Sequence, residues 1–271
     1  MLLLWVGFGA AGETVMGLKL NPLFTIPIAA GVATLVPLFA AHALPRGAWL
    51  GVTALALVAA VGGSICAGMQ PAYSAMAPQR LSISYVQQSD RALWAVDALA
   101  PVPASMKAVA KFAEKPERLS PFAWSSSYVA PADNLKLRLP TAKLIANQKS
   151  DGGRRVTLAL QGSDDANQMA LILTNPKGLK AIDIKDWHFD APPAWAKLDR
   201  VLLACMSRDC ASAAITLTMA DNAPVDAILG ESRFGLPPEG ARLVASRPNA
   251  AVPSQNGDGV LLISKLHVPG A

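Results

Sequence analysis

The chain has 271 residues, 52% of them hydrophobic, with a formal net charge of +5, enough for one large domain or two small ones. The charges of both signs are interspersed, which argues against nucleic acid as a partner, since that wants a concentrated basic face. Cysteine is scarce, with only Cys66, Cys205 and Cys210.

These averages mix two different stretches. Residues 1–70 carry only Glu13, Lys19 and Arg46 as charges, and no charge occurs from Gly47 to Gln79. An apolar helix of about 20 residues crosses a bilayer's hydrocarbon core. The sequence therefore predicts two full membrane spans, about 21–44 and 48–69, preceded by a partial one over 1–18 that Glu13 interrupts. Pro27 and Pro37 would kink the first full span, and Pro45-Arg46-Gly47 reads as the turn between the two. His42 is either an intramembrane functional group or a solvated imidazole, and its interfacial position favours the second. Cys66 falls in the last span, where a thiol packs as a small hydrophobe. Arg46 marks the turn as cytoplasmic, against a weak contrary vote from Lys19. The expected localisation is multi-pass membrane, with residues 71–271 a periplasmic or lumenal, extracytoplasmic β-rich domain.

After a proline-bounded linker the period changes. Leu81–Tyr85 alternates apolar and polar, the mark of a half-buried strand, and Ala92–Val96 reads as its hairpin partner. Ser105–Lys115, with Met106, Val109 and Phe112 near helical spacing, is the one predicted helix. Further strands are expected at Val156–Leu160 after Asp151-Gly152-Gly153, at Met169–Thr174 and, after Asn175–Gly178, at Leu179–Ile184. Arg200–Ala204, Ile215–Met219, Val225–Leu229 and Val260–Val268 complete the set, the last after a predicted hairpin turn at Asn256–Gly259. Many short strands at this spacing imply an all-β, mainly antiparallel, sandwich-like domain.

Chemistry is harder to find. No histidine lies in a metal-ligand spacing and no nucleophile elbow occurs, so no catalytic, cofactor or metal residue is assigned. Asp186-Trp187-His188-Phe189-Asp190 is the nearest to a site. On a strand, Asp186, His188 and Asp190 would share one face, as ligands or as a solvated polar side with Trp187 and Phe189 turned inward. Cys205 and Cys210 flank a short loop between two strands. Outside the cytoplasm they would form a disulfide closing a hairpin base; in a reducing compartment they would stay free.

Three stretches carry a resemblance: PAYSAMAPQRLSISYVQQSDRALWAVD (71–97), LACMSRDC (203–210) and FGLPPEGARLVASRPNAAVPSQNGDGVLLISKLHVPG (234–270). Together with the charge-free spans, they resemble the C-terminal membrane and β-rich region of membrane-bound zinc exopeptidases, metallopeptidase family twenty-eight, of the endoplasmic-reticulum metallopeptidase-like group. The resemblance implies a non-catalytic membrane anchor and accessory domain, a fragment or split-gene product whose zinc belongs to an absent catalytic domain. The family's two-zinc residues cannot be placed on this sequence. The implied partners are the lipid bilayer and a catalytic peptidase domain or other membrane helices. The alternative reading is a stand-alone membrane-anchored periplasmic binding or interaction module.

Overall fold

The structure, a computed structural model, describes residues 78–270 except 90, 98–99, 120–121, 123–124 and 151–152, together with residues 54, 58, 69 and 73–75. The chain divides into two units, Met1–Pro71 and Ala72–Ala271. In the first, Ala54, Val58 and Met69 are helical. No helix among the described residues is long and apolar enough to cross a membrane. That finding corrects the fold class of membrane helices before a β domain, and with it the multi-pass membrane localisation. The partial span 1–18, the expected span 21–44, His42, Cys66 and all of the expected span 48–69 but Ala54, Val58 and Met69 lie outside the described residues.

The second unit is β-rich. In chain order its elements are β1 (Gln79–Arg80), β2 (Ile83–Gln88), β3 (Arg91–Asp97), α1 (Ala104–Lys107), β4 (Ser127–Pro131), β5 (Thr141–Ser150), β6 (Gly153–Gln161) and β7 (Gln168–Leu173). There follow β8 (Leu179–Ile184), β9 (Trp187–Asp190), β10 (Val201–Cys205), β11 (Ser212–Met219), β12 (Val225–Phe234), α2 (Ala241–Ala245), β13 (Ala251–Val252) and β14 (Gly259–Val268). A larger sheet of seven strands has the order β10-β7-β12-β14-β2-β3-β4, and a smaller one of five has the order β5-β6-β11-β8-β9. Neighbours are antiparallel except β14 beside β2, and β1 beside β13 in a separate pair.

Side chains alternate across a strand, and this assigns the faces of the larger sheet. Leu266 and Val268 of β14 join a core with Leu171 and Leu173 of β7 and with Val156, Leu158, Ile182, Ile215 and Leu217 of the smaller sheet. The two sheets close on one another across these residues. Val260 and Leu262, on the same face of β14, join a second core with Ile83, Tyr85, Trp94, Met106 of α1 and Leu243 of α2. Burying a Leu or Ile side chain fully stabilises by about 1.5–3 kcal/mol, so both cores contribute substantially. Leu261 and Ile263 point the other way, to a small cluster with Val86, Ala95 and Phe122.

The segment 132–140 covers β2 without forming a backbone ladder. Gln87 accepts from Leu137 N at 3.1 Å and donates to Leu137 O at 2.9 Å. The Tyr85 hydroxyl accepts from Leu135 N and donates to Asp133 O, both at 3.0 Å. Burial pushes the Tyr85 pKa up.

Three local expectations differ from the structure. The helix over Ser105–Lys115 is cut to α1, because Ala113 N instead bonds Val129 O at 2.7 Å and Glu117 bridges to Ser127. Pairing with β4 overrides the helical spacing there. Asn256–Gly259 is a turn, with Gly257 at φ +67°, but it closes no hairpin: β13 pairs with β1, and β14 with β12 and β2. Cys205 and Cys210 are joined in a disulfide with Cα atoms 5.8 Å apart. Their loop closes no hairpin either, since β10 lies in the larger sheet and β11 in the smaller.

Candidate binding cleft

The face of the larger sheet opposite the two main cores carries an open cleft of about 560 Å³, within the range of ligand sites. It crosses β7, β12, β14, β2 and β3. Small side chains make the hollow: Ala170, Gly230, Ser232, Gly259 and Ser84 line it. Gly230 lets the Phe122 ring approach the strand, since a Cβ there would lie 2.6 Å from that ring and force it to shift. At one end Met206, from the loop closed by the disulfide, and Phe234, at the end of β12, are 79% and 70% exposed. Exposed large apolar side chains grouped at a cleft differ from the singly scattered ones common on any surface.

Asp97 stands at the other end. It ends β3 on the same face as Ala95, by strand alternation. Burial pushes its carboxyl pKa up, and no described side chain or backbone amide bonds it. The nearest cation in the lining, Arg233, is already taken. Its Nε donates to Glu231 Oε1 at 2.6 Å and its Nη1 pairs with Asp165 at 3.4 Å. Glu231 is itself fully buried, accepting from the Ser163 amide at 3.0 Å and from the Ser163 hydroxyl. Among the described residues Asp97 is thus a carboxylate in the cleft with no compensating partner, and a desolvated charge in a cleft is a candidate functional group.

The 254–258 segment that borders the cleft is held by a largely buried ion pair. Arg247 Nη2 donates to both carboxylate oxygens of Asp258 at 2.6 Å, and Asp258 Oδ1 also accepts from Ile83 N at 2.9 Å. Ser254 N donates to Ser82 Oγ at 2.9 Å. These contacts tie residues 254–258 to the start of β2.

The residues singled out from sequence lie elsewhere. Asp186 falls in the turn before β9, away from any shared strand face, and Asp183 of β8 takes its place. Asp183 stands opposite His188 in the ladder. Its Oδ1 lies 2.6 Å from His188 Nδ1, and Asp190 Oδ1 lies 3.3 Å from Nε2. Hydrogen bonds to Asp183 and then Asp190 hold the imidazole pKa above its ordinary value. Trp187 and Phe189 stack at 6.3 Å between ring centres. They point to the core side by register with Ile184 and Ile182, yet are 69% and 47% exposed, because β9 overhangs the sandwich as an edge strand. His267 pairs with Asp226 at 2.6 Å on the exposed surface. Among the described residues no group of three or more His, Cys, Asp or Glu could hold a metal ion. Asp97 and the cleft were missed by the sequence reading: Gly, Ala and Ser from four strands and one Asp from a fifth leave no motif.

No protein-family model matches the chain, and no curated protein matches it. Among solved structures the chain is similar to the Fcho1 Mu homology domain from Danio rerio with bound Eps15 peptide. The identity is 9%, over 69% of this chain and 95% of that one, with a TM-score of 0.28. A likeness that slight carries no argument. The membrane-bound, metallopeptidase-associated character expected from the sequence gains no support from these comparisons or from the described helices, and is set aside.

Proposed function

We propose that residues 72–271 are a binding module that takes its ligand in the cleft across the second face of the larger sheet. The observation that carries this is Asp97, a carboxylate with no partner among the described residues, kept partly out of water at one end of a preformed hollow. Leaving a carboxylate desolvated without a partner costs free energy. Such a cost is tolerated where an incoming group supplies the missing partner. Met206 and Phe234 add exposed apolar surface at the opposite end, so the cleft offers both attraction for charge and area to bury. The 254–258 segment bordering the cleft is tied down by Arg247–Asp258 and Ser82–Ser254, and preorganisation lowers the entropy cost of binding.

Panning a random peptide-display library over the full chain tests the reading. Enriched sequences should lose binding to Ser84→Phe, which fills the hollow from a half-exposed strand position without disturbing either main core. Enriched sequences indifferent to that substitution would place recognition elsewhere and sink the proposal.

A further inference from the structure

We propose that the cleft holds an extended polypeptide segment of a partner, with a Lys or Arg side chain against Asp97 and an apolar side chain about four or five residues away against Phe234 and Met206. This rests on the binding-module reading above and adds the chemistry of the occupant.

The dimensions favour an extended chain. Strands lie about 4.8 Å apart, so the distance from β7 to β3 across the intervening strands is roughly 19 Å, the length of about six extended residues. From Phe234 on β12 to Asp97 on β3 the span is about 15 Å once the offset along the strands is included, or four to five residues. A small amine would occupy the Asp97 end alone and leave Phe234 and Met206 bare.

Polar groups along the hollow suit a peptide backbone: Ser84 on β2 lies between Phe234 and Asp97, Ser232 shares β12 with Phe234, and Asn167 and Gln168 lie beyond it on the β7 side. The Ser232 hydroxyl, with one proton to give, lies 3.4 Å from Asn167 Oδ1 and 3.5 Å from Gln168 Oε1 and shares it between them. Both amide nitrogens are left as donors, with no partner among the described residues. The Ser84 hydroxyl is likewise unpartnered and can donate or accept. A peptide backbone crossing from Phe234 to Asp97 would meet Ser84, and its continuation past Phe234 would meet Asn167 and Gln168. The ends then set the sequence preference. A cation at Asp97 would make a charge-assisted hydrogen bond in a partly desolvated place, where such bonds are strongest. Arg233, held between Glu231 and Asp165, does not compete for Asp97.

Fluorescence anisotropy with the full chain and labelled peptides of about eight residues tests this, the length being set by the trough. One peptide carries Phe and Arg at the proposed spacing; a second has norleucine for Arg; a third has Phe and Arg adjacent. The spaced Arg peptide should bind best. Norleucine in the peptide, or Asp97→Asn in the protein, should each weaken it about tenfold or more. The norleucine peptide should be indifferent to Asp97→Asn. Asp97→Asn keeps the side chain's shape, and an unchanged or raised urea midpoint shows that it is folded.

Equal binding of the Arg and norleucine peptides, both lost in Ser84→Phe, would overturn the occupant's chemistry while leaving the binding module standing. Agmatine alone matching the peptide's affinity would overturn the polypeptide. Binding by none of the three peptides would overturn the occupant's chemistry, and panned sequences indifferent to Ser84→Phe would overturn both readings.

Discussion

Arg247→Met probes the pair that holds the segment bordering the cleft. The side chains of Arg247 and Asp258 are only 10% and 15% exposed. Removing the guanidinium leaves the Asp258 carboxylate with Ile83 N as its remaining partner. Breaking a buried pair from one side costs about 3–5 kcal/mol, against about 0–1 kcal/mol for a surface pair. The residual exposure places this one near the lower end, about 3 kcal/mol, or roughly 6–12 °C in Tm for a domain of this size. Asp258→Asn should cost as much, because it strands a guanidinium whose Nε already lacks a partner. The double variant Arg247→Met/Asp258→Asn removes both charges, so its cost should fall below the sum by about 1–3 kcal/mol. Urea unfolding of the full chain and the two single and one double variants measures the cycle. A single-variant loss under about 1 kcal/mol, or additivity within error, would show that water reaches the pair and would refute the reasoning.

Asp97 sets a pH dependence of definite sign. Burial raises its folded pKa above the unfolded value, so the folded state binds the proton more tightly and stability falls as pH rises through that window. Asp97→Asn should therefore stabilise the chain at neutral pH and flatten this part of the profile in urea titrations; destabilisation at pH 7 would reveal a partner for the carboxylate. The His188 pKa is also raised in the folded chain. Its contribution to the β8–β9 hairpin is fully present below the ordinary histidine range and is lost as pH rises through the raised value. Asp183→Asn should bring the pKa of His188 down in an NMR titration, more than Asp190→Asn does. Gly259→Ala should destabilise more than Gly257→Ala in thermal melts. The first would place a Cβ 2.6 Å from the Arg233 carbonyl oxygen, whereas the second meets only open space at φ +67°, a cost of about 1 kcal/mol.

The sequence pattern is legible where one strand face is buried and the other is not. RVTLALQ shows this in β6, whose Val156, Leu158 and Leu160 are all core. It is silent for β5, an edge strand of mostly exposed residues held by its backbone pairing to β6. Its Leu144 and Ile145 are adjacent and both exposed, so no alternation could announce it. Sheet membership was also hidden: β10 and β11 are close in sequence, yet the disulfide-closed loop carries the chain from one sheet to the other. The cleft fails to show for a third reason. Its chemistry is the absence of bulk at Ala170, Gly230 and Gly259, together with one aspartate whose environment comes from strands far apart in sequence. His188 drew attention instead because histidine is rare in this chain, and its true partner, Asp183, comes from the neighbouring strand.

The hold of Tyr85 and Gln87 on the segment after β4 divides tolerance to mutation unevenly. Their side chains grip main-chain atoms of Asp133, Leu135 and Leu137, which every residue type supplies except that proline lacks the N–H. A saturation scan would then find Arg138, whose side chain takes no part in this grip, open to most residues, whereas Lys136, at φ +52° and with its amide bonded to Asn134 Oδ1, would favour Gly, Asn or Asp and reject proline and β-branched residues. Leu135 and Leu137 would accept other apolar side chains, since they also pack on the second core, but would reject proline. Tyr85 and Gln87 would accept almost nothing, because no other pair of side chains offers both a donor and an acceptor at those two heights above the strand.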